Sequence, residues 1–113
     1  MPRLCSSGWK PTDVAPMRQF MRGAVQLHVL HHAAERDVDG AWMSEELARH
    51  GHRISPGTLY PTLHRLEAEG LLTSRGELVA GRRLRRYRAT KEGRRVLAHT
   101  RRALRELADE VLE

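Results

Sequence analysis

Between Arg75 and Arg102 the chain places eleven arginines and lysines against only two acids, Glu77 and Glu92. That surplus of nine exceeds the net charge of +6 carried by all 113 residues, so the remainder is slightly acidic. Cations concentrated in one stretch favour a polyanionic partner, nucleic acid ahead of an anionic membrane surface. Arg82, Arg83, Arg85, Arg86 and Arg88 crowd a run that alternates only roughly, with Leu84 for anchorage. Residues like these do not build a buried sheet. They build a projecting ribbon whose guanidinium groups reach phosphates or a minor groove. The plainer reading is a solvated basic hairpin that meets nothing.

The stretch Ser55 to Leu72 complements that ribbon. Ser55 is placed to cap a helix, Pro56 suits its first position, and Gly70 stands where a left-handed closing residue is wanted. Leu59, Leu63 and Leu66 recur at spacings of four and three and make one apolar stripe. Thr58, Pro61, His64 and Arg65 fall on the other side, with the Tyr60 phenol beside the stripe. A small polar face with a base at its edge fits a helix pressed against something anionic; a core helix with a solvated back is the alternative.

A third group is His28, His31, His32 and Glu35, whose spacings of three, four and seven put all four on one helical flank. His28 with His32, or His32 with Glu35, has the spacing to take up a metal, and His99 further on is a candidate ligand across a dimer. Solvated or hydrogen-bonded histidines are the simpler reading, so neither metal nor cofactor is expected. Cys5 is the only cysteine, which rules out an intrachain disulfide and a cysteine-based zinc site. No nucleotide-binding glycine loop, His-Glu-x-x-His or nucleophile elbow is present, so the chain does not read as an enzyme.

The elements that position these groups follow in order. Residues 1–16, with Pro2, Gly8, Pro11 and Pro16, show no periodicity and are expected to form a flexible extension. Helix one is expected from about Met17 to Arg36, apolar on two sides: Phe20, Leu27, Leu30 and Ala34 on one, Val25, Val29 and Ala33 on the other. Asp37 to Gly40 breaks it. A short helix two is expected over Ser44–His50, capped by Ser44 and closed by Gly51. A tight link then reaches Ser55, which makes a helix-turn-helix. Strands are expected over Leu71–Leu78 and Arg82–Ala89 with Ala80-Gly81 in the turn, a wing directly behind the helix-turn-helix. Thr90 caps a last helix from Lys91 to about Leu112. Its Leu97, Leu104, Leu107 and Val111 follow a heptad seam, expected to pair with Val25 and Val29 at a subunit interface. The opening residues lack a signal peptide's apolar core, and no run approaches the ~20 residues of a membrane span. A cytoplasmic protein that does not engage membranes is expected.

Quoted together, SPGTLYPTLHRLEAEGLL and RRYRATKEGRRVL make the sequence resemble the PadR family of bacterial transcriptional regulators. The shared marks are Gly-Thr-Leu-Tyr-Pro opening the recognition helix, Arg-Leu-Glu-x-x-Gly-Leu leaving it, and Tyr-Arg-x-Thr-x-x-Gly leaving the wing. The resemblance spans roughly Phe20 to Leu112 and is to the short class with a single C-terminal helix. It implies a homodimeric repressor of a palindromic operator, released by a small aromatic or hydrophobic effector. It places Ser55, Thr58, Tyr60, Pro61 and His64 at or near the major groove and Arg65 at phosphate. Gly40-Ala41-Trp42-Met43 departs from the family's usual Gly-Tyr-x-Leu, and the helix-one histidines replace a solid aliphatic run, so the family's effectors do not carry over.

The expected fold is mainly α with a small β-hairpin: a winged helix-turn-helix domain over residues 17–90 plus a C-terminal dimerisation helix over 91–113. Two other functions fit the same residues. One is a winged-helix protein-interaction module whose basic wing meets an acidic protein; the other is a metal-responsive repressor using His28, His32 and Glu35.

Overall fold

The structure, a computed structural model, describes Lys10 and residues 14–112. The expected flexible extension therefore lies outside the described residues, except at Lys10 and at its last three positions. Four helices and one hairpin follow in the order α1 (Ala15–Glu35), α2 (Gly40–Arg49), α3 (Pro56–Ala68), β1 (Leu72–Val79), β2 (Arg82–Ala89) and α4 (Lys91–Val111). This is the expected mainly helical winged helix-turn-helix.

A single core binds these elements. Val25, Val29, Leu30 and Ala33 of α1 meet Met43 and Leu47 of α2, Leu59, Leu63 and Leu66 of α3, and Leu72, Tyr87, Ala89 and Leu97 from the hairpin and α4. The three leucines of α3 are the stripe that the sequence predicted. At α1 the periodicity offered two apolar sides, and the chain's own core takes the whole of the one expected at a subunit interface together with Leu30 of the other. Val25, Val29 and Leu97 are buried in the chain's own core, whereas Phe20 is 55% exposed. Leu27 and Ala34 are partly buried at the edge of that core, and Phe20, nearer the start of the helix, lies beyond it.

Helix α2 starts four residues earlier than expected. Its cap is Asp39, whose carboxylate accepts from the Trp42 backbone N–H at 2.9 Å; Ser44 lies inside the helix. Gly40 therefore begins a helix instead of breaking one. The Tyr60 ring explains why it is glycine, since a methyl there would stand 2.6 Å from the phenol oxygen. Ser55 precedes α3 as expected, but its side chain makes no capping bond; the hydroxyl donates to Thr58 Oγ1 at 3.4 Å. Gly70 closes the segment at φ +82°, in the left-handed region open to glycine.

The strands pair antiparallel from Leu72↔Ala89 to Val79↔Arg82. Ala80 and Gly81 both have positive φ, the signature of a tight primed hairpin turn. Leu84 is only partly buried; the anchors are Tyr87 and Ala89, at the base. Val38, in the link between α1 and α2, exchanges two backbone hydrogen bonds with Tyr87, at 2.9 and 2.7 Å, an isolated bridge beside the two-stranded ladder.

The start of α4 is fastened to the exit of α3. Thr90 accepts from the Gly93 N–H at 3.0 Å, and its hydroxyl donates to the Gly70 carbonyl at 2.6 Å. Its own N–H donates to Leu71 at 3.0 Å. Gly93 lies so close to the Leu71 carbonyl that no Cβ fits between them. The second half of α4 carries Leu104, Leu107 and Val111 exposed. Hence the radius of gyration is 16.5 Å, against about 13 Å for a compact chain of this length.

Candidate nucleic-acid interface

With Leu59, Thr62, Leu63 and Leu66 turned inward, α3 leaves one continuous face to solvent. Thr58, Pro61, His64 and Arg65 are exposed, as the spacing predicted, and so are Ser55 and Tyr60. The buried Thr62 hydroxyl donates to the Thr58 carbonyl at 2.8 Å, so the inward side carries no unmet polar group. Tyr60 is 43% exposed and lies on Gly40, the first residue of α2. Its ring is thus braced by the neighbouring helix while its edge is open to a partner.

The wing divides along its length. At its base, Asp37 accepts from Arg75 at 2.7 Å and from Arg88 at 3.2 Å. Those two guanidinium groups hold the Asp37 carboxyl below its ordinary value, and the Arg75 guanidinium is shifted up in return. Arg86 donates to Glu77 at 2.6 Å and lies 3.7 Å from Asp39. Burial, with Glu67 nearby, pushes the Tyr87 phenol up. Arg82 and Arg83, next to the turn, are exposed and form no ion pair among the described residues. Arg85 donates to the Ser74 hydroxyl at 3.1 Å, and Ser74 donates to Glu67 at 2.7 Å. Of the five wing arginines singled out from the sequence, Arg86 and Arg88 are thus engaged by carboxylates of the chain itself.

Asp37 and Asp39 were missed as site residues, because the segment Asp37-Val38-Asp39 was read only as a helix break. The signal was there: an acid–valine–acid alternation has the period of a strand, and the structure places it along the wing's base.

Residues 29–99 match the Transcriptional regulator PadR-like family. The chain belongs to that family. The transcriptional regulator Rv3488 of Mycobacterium tuberculosis is 65% identical over 96 residues, which are 85% of this chain and 90% of that protein. Among solved structures, a PadR family transcriptional regulator from Eggerthella lenta superposes with a TM-score of 0.76 at 34% identity, covering 85% of each chain. A PadR-like transcriptional regulator from Bacillus cereus shares the fold with a TM-score of 0.74 at 24% identity, over 82% of this chain and 92% of that one. A PadR-like regulator is a DNA-binding transcription regulator and not an enzyme. None of the described helices is long and apolar enough to cross a membrane.

The PadR-like motifs have physical reasons here. The tyrosine of Tyr-Arg-x-Thr-x-x-Gly is Tyr87, the wing's buried anchor; the threonine and glycine are Thr90 and Gly93, which fasten α4 to the exit of α3.

Behind the interface lies the histidine group. His28 and His32 of α1 face His50 and His52 at the end of α2: the His28 ring centroid is 5.2 Å from His50 and 5.0 Å from His52. Glu46 of α2 stands between His32, at 3.6 Å, and His50, at 3.2 Å. Burial and then the neighbouring imidazoles lower the pKa of His28 and of His32. Burial works against the Glu46 charge, yet the His50 hydrogen bond, Arg49 and His32 keep its carboxyl below its ordinary value. Glu35, expected as a ligand beside His32, lies 3.6 Å from His31, and its carboxylate, His31 and His32 bring ligand atoms within 4.8 Å of one another. His31 in turn accepts from Arg101 of α4 at 2.8 Å. His99 is exposed on α4.

Proposed function

We propose that this chain is a homodimeric repressor that reads a palindromic operator with α3 and fastens to the backbone with its wing. The observation carrying this reading is the face of α3: six residues suited to DNA stand exposed in one row, on a helix whose other side is locked into the core. Thr58, His64 and the edge of Tyr60 meet bases in the major groove; Ser55 and Arg65 meet phosphates at its borders. Arg82, Arg83 and Arg85 supply sequence-independent affinity. Arg86 and Arg88 hold the wing in place.

A second copy covers the outer side of α1 and α4. Phe20, Leu27, Leu104 and Leu107 line an open groove of about 610 Å³, and Val111 continues the apolar strip. Leu104, Leu107 and Val111 are thus kept from the expected interface, and Phe20 with Leu27 takes the place of Val25 and Val29. Residues 17–90 act as the DNA-binding unit and 91–113 as the dimerisation helix. Two-fold symmetry sets the half-sites about one helical turn, ~10 bp, apart. The same groove is apolar enough for a small hydrophobic or aromatic effector that releases the operator. Such a protein works beside the chromosome, in a bacterial cytoplasm.

Selection of bound sites from a random duplex pool tests this reading. A two-fold symmetric motif is expected, and Thr58→Ala or His64→Ala should change its preferred bases. A recovered motif without symmetry, or no enrichment at all, would overturn it. Leu104→Glu with Leu107→Glu should give a monomer by light scattering.

A further inference from the structure

Five of the chain's seven histidines, His28, His31, His32, His50 and His52, gather where α1, α2 and the turn into α3 meet. They are unevenly covered: the His50 and His31 side chains are 51% and 40% exposed, and the inner members of the group are better shielded. The His32 and Glu46 side chains are only 12% and 14% exposed, positions where apolar residues would pack without any desolvation cost. Each helix offers a pair one turn apart, His28 with His32 and Glu46 with His50, and the two pairs face each other.

Two of the spacings already suit a metal ion, and His28, whose ring centroid is 5.2 Å from that of His50 and 6.3 Å from that of His32, needs a ring rotation to join them. Bonds of about 2.0–2.1 Å in tetrahedral geometry set neighbouring ligand atoms about 3.3 Å apart. The Glu46 oxygen lies 3.2 Å from His50 Nε2 and 3.6 Å from His32 Nε2. We propose that His32, Glu46 and His50, completed by His28, bind one divalent ion of the zinc type, bridging α1 to the helix-turn-helix. Imidazole nitrogens with one carboxylate suit such borderline ions and not calcium or magnesium, which take oxygen ligands. His31, His32 and Glu35 also bring ligand atoms within 4.8 Å of one another. That group lies on a single helix, and Arg101 already occupies one nitrogen of His31.

Resting on the reading of α3 as the DNA-contacting helix, the site is also regulatory. His50 and His52 flank the link that runs to Ser55, so an ion held between α1 and α2 fixes the angle at which α3 is presented. Occupancy then changes operator affinity.

Co²⁺ titration of the purified chain followed by its visible d–d absorption, with Zn²⁺ competition, tests the site. One ion per chain is expected, together with a higher Tm in Zn²⁺. Glu46→Gln and His50→Ala should each weaken binding by more than the roughly 10- to 100-fold lost with an outer-shell partner, while circular dichroism stays helical. His99→Ala should bind as the parent does. No d–d band, binding unchanged in both Glu46→Gln and His50→Ala, or binding lost in His99→Ala would overturn the site. DNA titration with and without Zn²⁺ tests regulation separately: equal affinity overturns the regulatory role. A chain that binds Co²⁺ but no duplex overturns the DNA reading and leaves the metal site standing.

Discussion

The two ends of the wing are built from the same residue type and do opposite work. From the base to the middle of the ladder, the guanidinium groups of Arg75, Arg86 and Arg88 lie against Asp37, Asp39 and Glu77, above a Tyr87 that is 1% exposed. At the tip, Arg82 and Arg83 follow a two-residue turn and form no ion pair among the described residues, and Leu78 across the ladder is 71% exposed. An arginine's role is therefore set by what faces it, not by its place in a basic run. Fixing the base with internal ion pairs leaves the tip's charges for an external anion.

Truncating the base should have the largest effect. Tyr87→Ala removes a fully buried ring and should cost about 3–5 kcal/mol in urea unfolding; a loss below about 1 kcal/mol would mean that the base is not anchored by that ring. Gly93→Ala comes next. Its methyl meets the Leu71 backbone and not a flexible side chain, so about 1–3 kcal/mol of overpacking is expected, with a fall in Tm that Gly76→Ala on the open hairpin does not match.

Asp37→Asn acts more gently and through pH. Because the folded carboxyl sits below its ordinary value, its stabilisation is present above the unfolded pKa of about 3.9. It is lost as pH falls through the lower folded value. Parent and variant should therefore differ in Tm at pH 7 and converge in strong acid; curves that run parallel would sink the ion-pair account of the base.

Replacing Arg82, Arg83 and Arg85 together by alanine should have the smallest effect on folding, within about 0.5 kcal/mol. DNA affinity should nonetheless fall on every duplex, and the slope of log K against log salt should flatten by about 0.9 per lost phosphate contact. An equal flattening from Arg86→Ala and Arg88→Ala would erase the distinction between base and tip.

Much of this was legible before any coordinates. Pro56, the leucine spacing and Gly70 located α3 and its exposed face, and the turn residues located the hairpin, because each signal acts within a few residues. What escaped depends on distance in the chain. Gly40 is explained only by Tyr60, twenty positions on, and so was read as a breaker. Asp37 meets Arg75 and Arg88 across 38 and 51 residues. Helix one was apolar on two sides, and periodicity alone does not say which side its own domain takes. The histidines of α1 were visible as a group, but Glu46 and His50 joined them only when α2 was brought alongside.

The joint at Thr90 leaves its mark on how motion can travel. With Thr90 gripping the carbonyl of Gly70 and Gly93 seated on that of Leu71, there is no slack between the reading helix and the tail. A twist applied to the far end of α4, some five turns away, would meet the exit of α3 through these two contacts before any loop could take it up, as in a crank and not a hinge.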